Sequence, residues 1–251
     1  MTAAEVIRQS VEGGIATLTI DRPAVRNALD HAGWLALRDR LHAAANDEAV
    51  RCIVLTGSGD RAFCAGADLR QPLMTGAEVR ALGDVPPPLQ AVREIQRSAR
   101  PVIAAINGDA VGGGCELVLA CHLRVAVRSA RLGFPEIRFG MVPAAARLLP
   151  RLIGRSAALE WLLTGELVSA IEAHRLGLLN RLVDGGELVA AASALARAVA
   201  ERDPFVVAGV LALSEAGWAL GADDALRAAA GYFASEPASG GRAGETTERR
   251  P

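Results

Sequence analysis

The chain has few aromatic residues and no long apolar segment. Phenylalanine, tryptophan and tyrosine together make up 4% of its 251 residues, whereas 51% of the residues are hydrophobic. We therefore expect a core built mainly of aliphatic side chains. No apolar run approaches the ~18 residues that a membrane-spanning helix needs, and the N-terminal sequence MTAAEVIRQSVEGG lacks the basic and apolar regions of a secretory signal. The sequence thus predicts no association with a membrane and no secretion.

An excess of charge of one sign is also absent. The chain carries 27 basic and 28 acidic side chains, which gives a formal net charge of −1. Proteins that bind nucleic acid or anionic membrane surfaces usually show a marked basic excess, because phosphate groups attract cations. We therefore expect no nucleic-acid partner.

Cysteine pairs with the spacing of a metal site or a redox site do not occur. In a chain of this length, four cysteines without a C-x-x-C pair predict buried thiols and no disulfide framework. The four histidines are dispersed without ligand spacing, so no metal site is predicted. These residues are Cys52, Cys64, Cys115 and Cys121, and His31, His42, His122 and His174. The cytoplasm is the expected compartment.

Patterns typical of strands and helices alternate in the first part of the chain and give way to helices later. This order predicts an α/β core over residues 1–152 and a helical C-terminal region over residues 153–235. Residues 236–251 are polar and rich in glycine and proline, and we expect them to be disordered.

Periodicity locates the elements of this arrangement. Residues 5–10 and 14–20 predict a β-hairpin, and residues 71–88 predict an irregular excursion between elements. The other predicted strands are 52–55, 101–106, 123–127 and 179–183, and the predicted helices include 27–45, 89–98, 115–121, 187–202, 204–218 and 222–233.

Three consecutive glycines and two glutamates mark the stretch around which the chain is organised. The strand over residues 101–106 leads to Gly112, Gly113 and Gly114, where a helix is predicted to begin. Glycines at such a junction let the backbone approach a ligand, and the free N–H groups of the new helix favour negative charge. Glu116 lies in the first helical turn, and Glu136 follows another predicted strand. Backbone donors beside two carboxylates suit acid–base chemistry next to a carbonyl group.

Each of these features also has a purely structural explanation. The glycines could form a tight turn where a helix packs closely against a strand. Glu116 could stabilise the helix N-terminus through its charge, and Glu136 could be a solvated loop residue. Asp68 is better explained as a turn or helix-cap residue than as a catalyst.

Six motifs in order resemble those of the crotonase superfamily, and of the enoyl-CoA hydratases in particular. They are R-P-x-x-x-N-A-L at residues 22–29, A-F-C-A-G-A-D-L at 62–69, P-V-I-A-A-I-N-G-x-A-x-G-G-G-C-E-L at 101–117, F-P-E at 134–136, L-P-R-L-I-G at 149–154, and L-T-G-E followed by A-x-R-L-G-L-x-N-R-L-V at 163–183. Any one of them would be a weak signal, but six in sequence are a strong one. The resemblance extends from residue 5 to residue 235.

The resemblance implies a crotonase-like spiral of ββα units with an α-helical C-terminal trimerisation region. It implies a homotrimer or a hexamer made of two trimers. The expected substrate and partner is an acyl-CoA thioester of fatty acid metabolism, and no cofactor is expected, because coenzyme A is part of the substrate.

The resemblance also assigns roles to residues. The N–H groups of Ala67 and Gly113 are expected to form an oxyanion hole for the thioester oxygen, and Glu116 and Glu136 are the expected catalytic residues. The implied substrate-binding residues are Arg22, Ala65, Gly66, Asp68, Leu69 and Gly112.

Three functions fit these observations. The favoured one is a hydro-lyase that adds water across the 2,3 double bond of a 2-trans-enoyl-CoA to give a 3-hydroxyacyl-CoA. In that reaction Glu116 chiefly activates the water and Glu136 protonates C2. An enoyl-CoA isomerase or another crotonase-type enzyme would need one glutamate, and many isomerases lack the first. The third possibility is a non-catalytic oligomer that binds acyl-CoA.

Three segments depart from the pattern of the family. Residues 144–149 replace the usual glycine-rich stretch G-A-G-G-T-Q-R, which predicts that a backbone donor beside the catalytic water is displaced. Residues 71–88 stand where many members have a helix lining the acyl pocket. The C-terminal sequence GRAGETTERRP offers no apolar anchor.

Overall fold

The computed structural model describes residues 6–72, 76–83 and 85–235. The chain forms two compact units, Met1–Arg202 and Asp203–Pro251. This division falls later in the chain than residue 152, the boundary that the sequence pattern predicts. Residues 236–251, for which disorder is expected, lie outside the described residues.

The first unit opens with the predicted hairpin. Strands β1 (Ile7–Glu12) and β2 (Ile15–Ile20) are antiparallel. Gly13 and Gly14 link them with φ angles of +56° and +77°, a backbone conformation that residues with a side chain rarely adopt. The E-G-G sequence therefore determines where the chain reverses.

Eight further strands complete two sheets in the described part of the chain. They are β3 (Cys52–Gly57), β4 (Ala62–Cys64), β5 (Val102–Ile106), β6 (Asp109–Val111), β7 (Leu123–Val127), β8 (Arg131–Gly133), β9 (Val168–Ser169) and β10 (Arg181–Val183). The first sheet has the order β1-β2-β3-β5-β7-β10 and the second has the order β4-β6-β8-β9. Neighbouring strands are parallel except in the pairs β1–β2 and β8–β9. From β3 to β8 successive strands alternate between the sheets, which confirms the predicted spiral.

Ten α-helices accompany the strands among the described residues. Those of the first unit are α1 (His31–Asn46), α2 (Gly76–Ala81), α3 (Pro87–Arg97), α4 (Gly113–Ala120), α5 (Leu149–Ile153), α6 (Arg155–Thr164), α7 (Ala170–Arg175) and α8 (Leu188–Ala200). Short 3-10 helices cover Pro23–Val25, Pro135–Phe139, Ala144–Arg147 and Gly185–Glu187.

Two segments differ from the sequence prediction for local reasons. Helix α1 begins at His31 and not at residue 27, because Arg26 and Asn27 adopt positive φ angles and Asp30 caps the helix by accepting the N–H of Gly33. The stretch 71–88, expected to be irregular, contains α2, and Pro87 begins α3.

The core of the first unit is aliphatic, as the composition predicts. Leucine, isoleucine, valine and alanine side chains of both sheets and of α1, α3, α4 and α8 form one buried cluster. Every residue of β5 is buried, as expected for a central parallel strand covered on both faces. Trp34, Phe63 and Phe134 are the largest side chains of the core that are almost completely buried.

The second unit consists of α9 (Pro204–Ala219) and α10 (Ala222–Ser235) in its described part. The rings of Phe205 and Tyr232 stack with centroids 4.9 Å apart. A methyl group on Gly209 would lie 2.2 Å from the Tyr232 ring, so this glycine allows the two helices to approach. Within the described residues, no helix is both long enough and apolar enough to cross a membrane.

The packing of α4 against β4 leads to a stability prediction. A methyl group on Gly114 would lie 2.0 Å from the carbonyl oxygen of Cys64, a backbone atom, so the backbone itself would have to shift. We expect Gly114→Ala to lower the free energy of unfolding by at least about 2 kcal/mol, measured by urea denaturation. Gly185→Ala is the matched control, because a methyl group there meets no atom within 4 Å. Equal stability of the two variants would contradict the proposed close contact.

Candidate active site

The N-terminus of helix α4 forms one wall of the site. Gly112 precedes the helix with a φ angle of +55°, and its N–H donates to the carbonyl of Gly133 at 2.9 Å. Gly113 is the first helical residue, so its N–H has no acceptor within the helix. The dipole of the helix adds partial positive charge at the same point.

Each of the three glycines faces a different neighbour at close range. A methyl group on Gly112 would lie 2.7 Å from Oε1 of Glu136, and one on Gly113 would lie 3.1 Å from the ring of Trp34. At Gly114 it would meet the carbonyl of Cys64. Close packing, which is the structural explanation of the triple glycine, therefore applies at all three positions. It also brings the start of the helix against the groups that surround it.

Ala67 lies in the loop that faces the start of α4. It forms an isolated parallel bridge with Leu29: the Leu29 N–H donates to the Gly66 carbonyl, and the Asp68 N–H donates to the Leu29 carbonyl, both at 2.9 Å. In such a bridge the N–H of the central residue points to the opposite side. The N–H of Ala67 is thus directed away from Leu29.

The loop and the helix come together at Gly66. A methyl group on this residue would lie 3.2 Å from the nitrogen of Gly113 and 2.8 Å from the carbonyl oxygen of Val111. Gly66 has a φ angle of +88°, so both its conformation and its surroundings require glycine. Ala67 and Gly113, which are distant in sequence, consequently border one cavity.

Glu116 is buried one helical turn after Gly112. Its side chain is 8% exposed, and its Oε1 accepts the N–H of Ala145 at 3.1 Å. Burial raises the pKa of Glu116, while the N–H groups of Ala145 and Ala144 and the charge of Arg147 act in the opposite direction. The carboxylate therefore has partners for its ionised form despite its burial.

Glu136 has a different environment. It lies in the 3-10 helix Pro135–Phe139, and its Oε2 is buried without a hydrogen-bond partner among the described residues. Burial raises its pKa to about 7, its own N–H opposes this change, and the nearby Glu116 carboxylate adds to it. Near neutral pH, Glu136 exists in both its protonated and its ionised form.

Both carboxylates and both backbone donors line a single cavity of about 380 Å³. Four of the six predicted substrate-binding residues also line it, namely Ala65, Gly66, Leu69 and Gly112. Apolar walls are contributed by Trp34, Pro86, Pro88, Leu89, Phe139 and Val142. The structure therefore brings together every residue that the sequence analysis assigned to catalysis.

The other two predicted binding residues have internal partners. The Arg22 guanidinium donates to the carbonyl of Ala28 at 2.7 Å and lies 3.3 Å from Asp68. Asp68 also accepts two hydrogen bonds from the Arg70 side chain, which lowers the pKa of Asp68 to about 2. These contacts agree with the interpretation of Asp68 as a structural residue and not a catalyst. Contact of Arg22 with substrate stays a prediction.

The structure identifies two features that the sequence analysis missed. Ala145, in the segment that lacks the glycines of the family, supplies a backbone donor to Glu116. A residue without a functional side chain gives no sequence signal for this role. Arg124, a buried residue, donates to the carbonyls of Val118, Leu119 and Cys121 and so caps the C-terminus of α4.

A metal site does not emerge from the described residues. No group of three histidine, cysteine, aspartate or glutamate side chains in these parts of the chain could hold a metal ion. All four cysteines are free and buried.

An α/β spiral with a carboxylate-lined cavity at the start of a central helix defines a crotonase-fold enzyme. A family model described as enoyl-CoA hydratase/isomerase matches residues 10–239. The chain belongs to this family.

Individual relatives and solved structures agree with this assignment. Crotonyl-CoA hydratase of Syntrophomonas wolfei is 40% identical over 71% of this chain and 69% of that protein. The 2,3-dehydroadipyl-CoA hydratase of Escherichia coli is 39% identical over 76% of this chain and 74% of that protein. A crystal structure of enoyl-CoA hydratase from Bacillus anthracis superposes with a TM-score of 0.85 at 32% identity, covering 91% of this chain and 90% of that one.

The raised pKa of Glu136 predicts how stability depends on pH. Between its ordinary value of 4.5 and about 7, the folded state binds more protons at Glu136 than the unfolded state does. Stability therefore falls as pH rises through this window, and Glu136→Gln removes that contribution. We expect the variant to be more stable than the wild type at pH 8 by about 1–2 kcal/mol, a range that allows for the partial exposure of this side chain. At pH 4.5 we expect the two proteins to have nearly the same free energy of unfolding.

Urea denaturation at the two pH values measures this difference. Glu160→Gln is the control, because Glu160 is exposed on α6 and does not line the cavity. The prediction is wrong if the stability difference between Glu136→Gln and the wild type is the same at both pH values.

Proposed function

We propose that this protein hydrates 2-trans-enoyl-CoA thioesters to 3-hydroxyacyl-CoA. The observation that carries the proposal is that Glu116 and Glu136 line the same cavity as the backbone of Ala67 and Gly113. Membership of the enoyl-CoA hydratase/isomerase family supports it. Coenzyme A enters as part of the substrate, and the proposed reaction needs no separate cofactor.

The two backbone donors act on the thioester oxygen. When water attacks C3, electron density moves through C2 to this oxygen, and an enolate develops. The N–H groups of Ala67 and Gly113 bind that charge, and the dipole of α4 favours it. Removing one such donor typically costs about 3–4 kcal/mol of transition-state stabilisation.

The two carboxylates divide the proton transfers. Ionised Glu116, supported by the Ala145 N–H, takes a proton from the attacking water, and the resulting hydroxide forms the C3–O bond. Protonated Glu136 delivers its proton to C2, which returns the enolate electrons to the new C–H bond. Glu136 is suited to this step because its pKa of about 7 keeps a large fraction protonated at neutral pH. A proton passed from Glu116 to Glu136 restores the starting state.

An isomerase is the alternative within the same family. Moving a double bond from C3 to C2 requires a proton to be removed and returned, which a single carboxylate can perform. Here both carboxylates border the cavity, and one of them has a dedicated backbone donor. This arrangement favours the addition of water over isomerisation.

Replacement of either carboxylate tests the proposal. We expect purified protein to hydrate crotonyl-CoA, and we expect Glu116→Gln and Glu136→Gln each to lower kcat by about 10²–10⁴-fold, because each loses one proton transfer. The loss of absorbance of the conjugated thioester measures the reaction. Glu160→Gln serves as the control and should keep the wild-type rate. Wild-type turnover by both glutamine variants would overturn the assignment.

We also propose a homotrimer, or a hexamer of two trimers, in the cytoplasm. Exposed apolar side chains support self-association, among them Leu163 and Val189, which are 67% and 78% exposed in the single chain. Four free thiols are in keeping with a reducing compartment.

Light scattering after size-exclusion chromatography tests the oligomeric state. We expect a mass three or six times the 26.1 kDa of one chain. A mass of 26.1 kDa at concentrations used for assays would contradict the proposal while leaving the catalytic assignment intact.

A further inference from the structure

We infer that the enzyme accepts neutral, apolar acyl chains and rejects enoyl-CoA substrates whose chain ends in a second carboxylate. This inference rests on the proposed hydratase activity and goes beyond it by naming the class of acyl group. The family does not decide the matter, since its members include hydratases named for crotonyl-CoA and for 2,3-dehydroadipyl-CoA.

The charge of the cavity walls carries the inference. Among the described residues, the charged side chains that line the reaction cavity are Glu116 and Glu136, and both are acidic. The remaining lining consists of apolar side chains and backbone, including Trp34, Pro86 and Leu89. A chain terminus within this cavity meets apolar side chains, backbone or a carboxyl group, and no described side chain that carries a positive charge.

The cations close to the cavity have other partners. Arg147, whose charge acts on Glu116, donates to Oε1 of Gln96 at 3.1 Å. Arg70 pairs with Asp68, and Arg138, which follows Glu136 by two residues, pairs with Glu166. The sequence contains no lysine, so the chain offers only arginine or histidine to receive a second carboxylate. No described arginine lines the reaction cavity.

A second cavity of about 290 Å³, bordered by Trp34 and Ala67 as well, does not supply the missing charge. Among the described residues, its charged lining comprises Asp30 and Asp68, and His31 is the one lining side chain able to carry positive charge. Asp30 lies 3.6 Å from the Arg22 guanidinium, and Asp68 lies 3.3 Å from it. A chain that extended from the first cavity into the second would therefore meet carboxylates that already pair with the nearby guanidinium groups.

The energetic consequence is a strong preference between otherwise similar substrates. A carboxylate taken from water into an apolar cavity loses its hydration, and nearby carboxylates repel it. A methyl group in the same place has no strong hydration to lose, and its burial is favourable because it removes apolar surface from water. Discrimination by a buried, unpaired polar group generally exceeds that given by one methylene group, so we expect a ratio of at least about 100 in kcat/KM.

A matched pair of substrates tests the inference. The thioesters of 2-hexenoic acid and 2,3-dehydroadipic acid both have six carbons in the acyl chain and differ at the end, where one carries a methyl group and the other a carboxylate. We expect the wild-type enzyme to prefer the hexenoyl thioester by at least about 100-fold in kcat/KM. A ratio below about 10 would overturn the inference, whereas failure to hydrate either substrate or crotonyl-CoA would overturn the proposed function instead.

A cation introduced at the mouth of the cavity provides a gain-of-activity test. Phe139 lines the cavity and is 66% exposed, so Phe139→Arg can place a guanidinium there without burying it. We expect this variant to lower the hexenoyl preference by about 10-fold or more, because the arginine pairs with the second carboxylate. Phe139→Leu is the control for loss of the aromatic ring, and we expect it to keep a higher hexenoyl preference than Phe139→Arg. The inference is overturned if both variants change the ratio equally, because a change in shape would then explain the result.

Discussion

The close approach of backbone to backbone at the start of α4 is the constraint on which the site depends. Gly66 lies against the nitrogen of Gly113, and Gly114 lies against the carbonyl of Cys64. Side chains at these positions would separate the loop from the helix. The absence of Cβ atoms therefore brings two N–H groups from distant parts of the chain to the edge of one cavity.

Burial then differentiates the two carboxyl groups of the cavity. Both have raised pKa values because both lose water, but Glu116 has the N–H groups of Ala145 and Ala144 as donors for its ionised form, whereas Glu136 has its own N–H. Glu136 has a buried oxygen without a partner in the described part of the chain, and its pKa is about 7. Two residues of the same type are thereby suited to opposite roles, one as a base and the other as an acid.

Glycines, turns and apolar runs have local signatures, which predict the hairpin and the alternation of strands and helices. The spiral and the residues assigned to catalysis are instead expected from the resemblance to the crotonase superfamily. The sequence does not predict the donor to Glu116, since Ala145 acts through its backbone and any residue supplies an N–H. It also places the start of α1 too early, at Asn27. This residue adopts a positive φ angle, and its side chain donates to the carbonyls of Ser58 and Ala62. Ser58 and Ala62 lie more than thirty positions from Asn27 in the sequence, so no local pattern reveals these contacts.

Arg124 has a consequence at the opposite end of α4. Its buried guanidinium binds carbonyl groups at the C-terminus of the helix, while the proposed enolate forms at the N-terminus. An eight-residue helix spans about 12 Å, a distance over which charges separated by protein still interact. The fixed cation and the transient anion therefore stabilise the same helix from its two ends, and a residue that never contacts substrate contributes to the electrostatic potential felt by the reacting thioester.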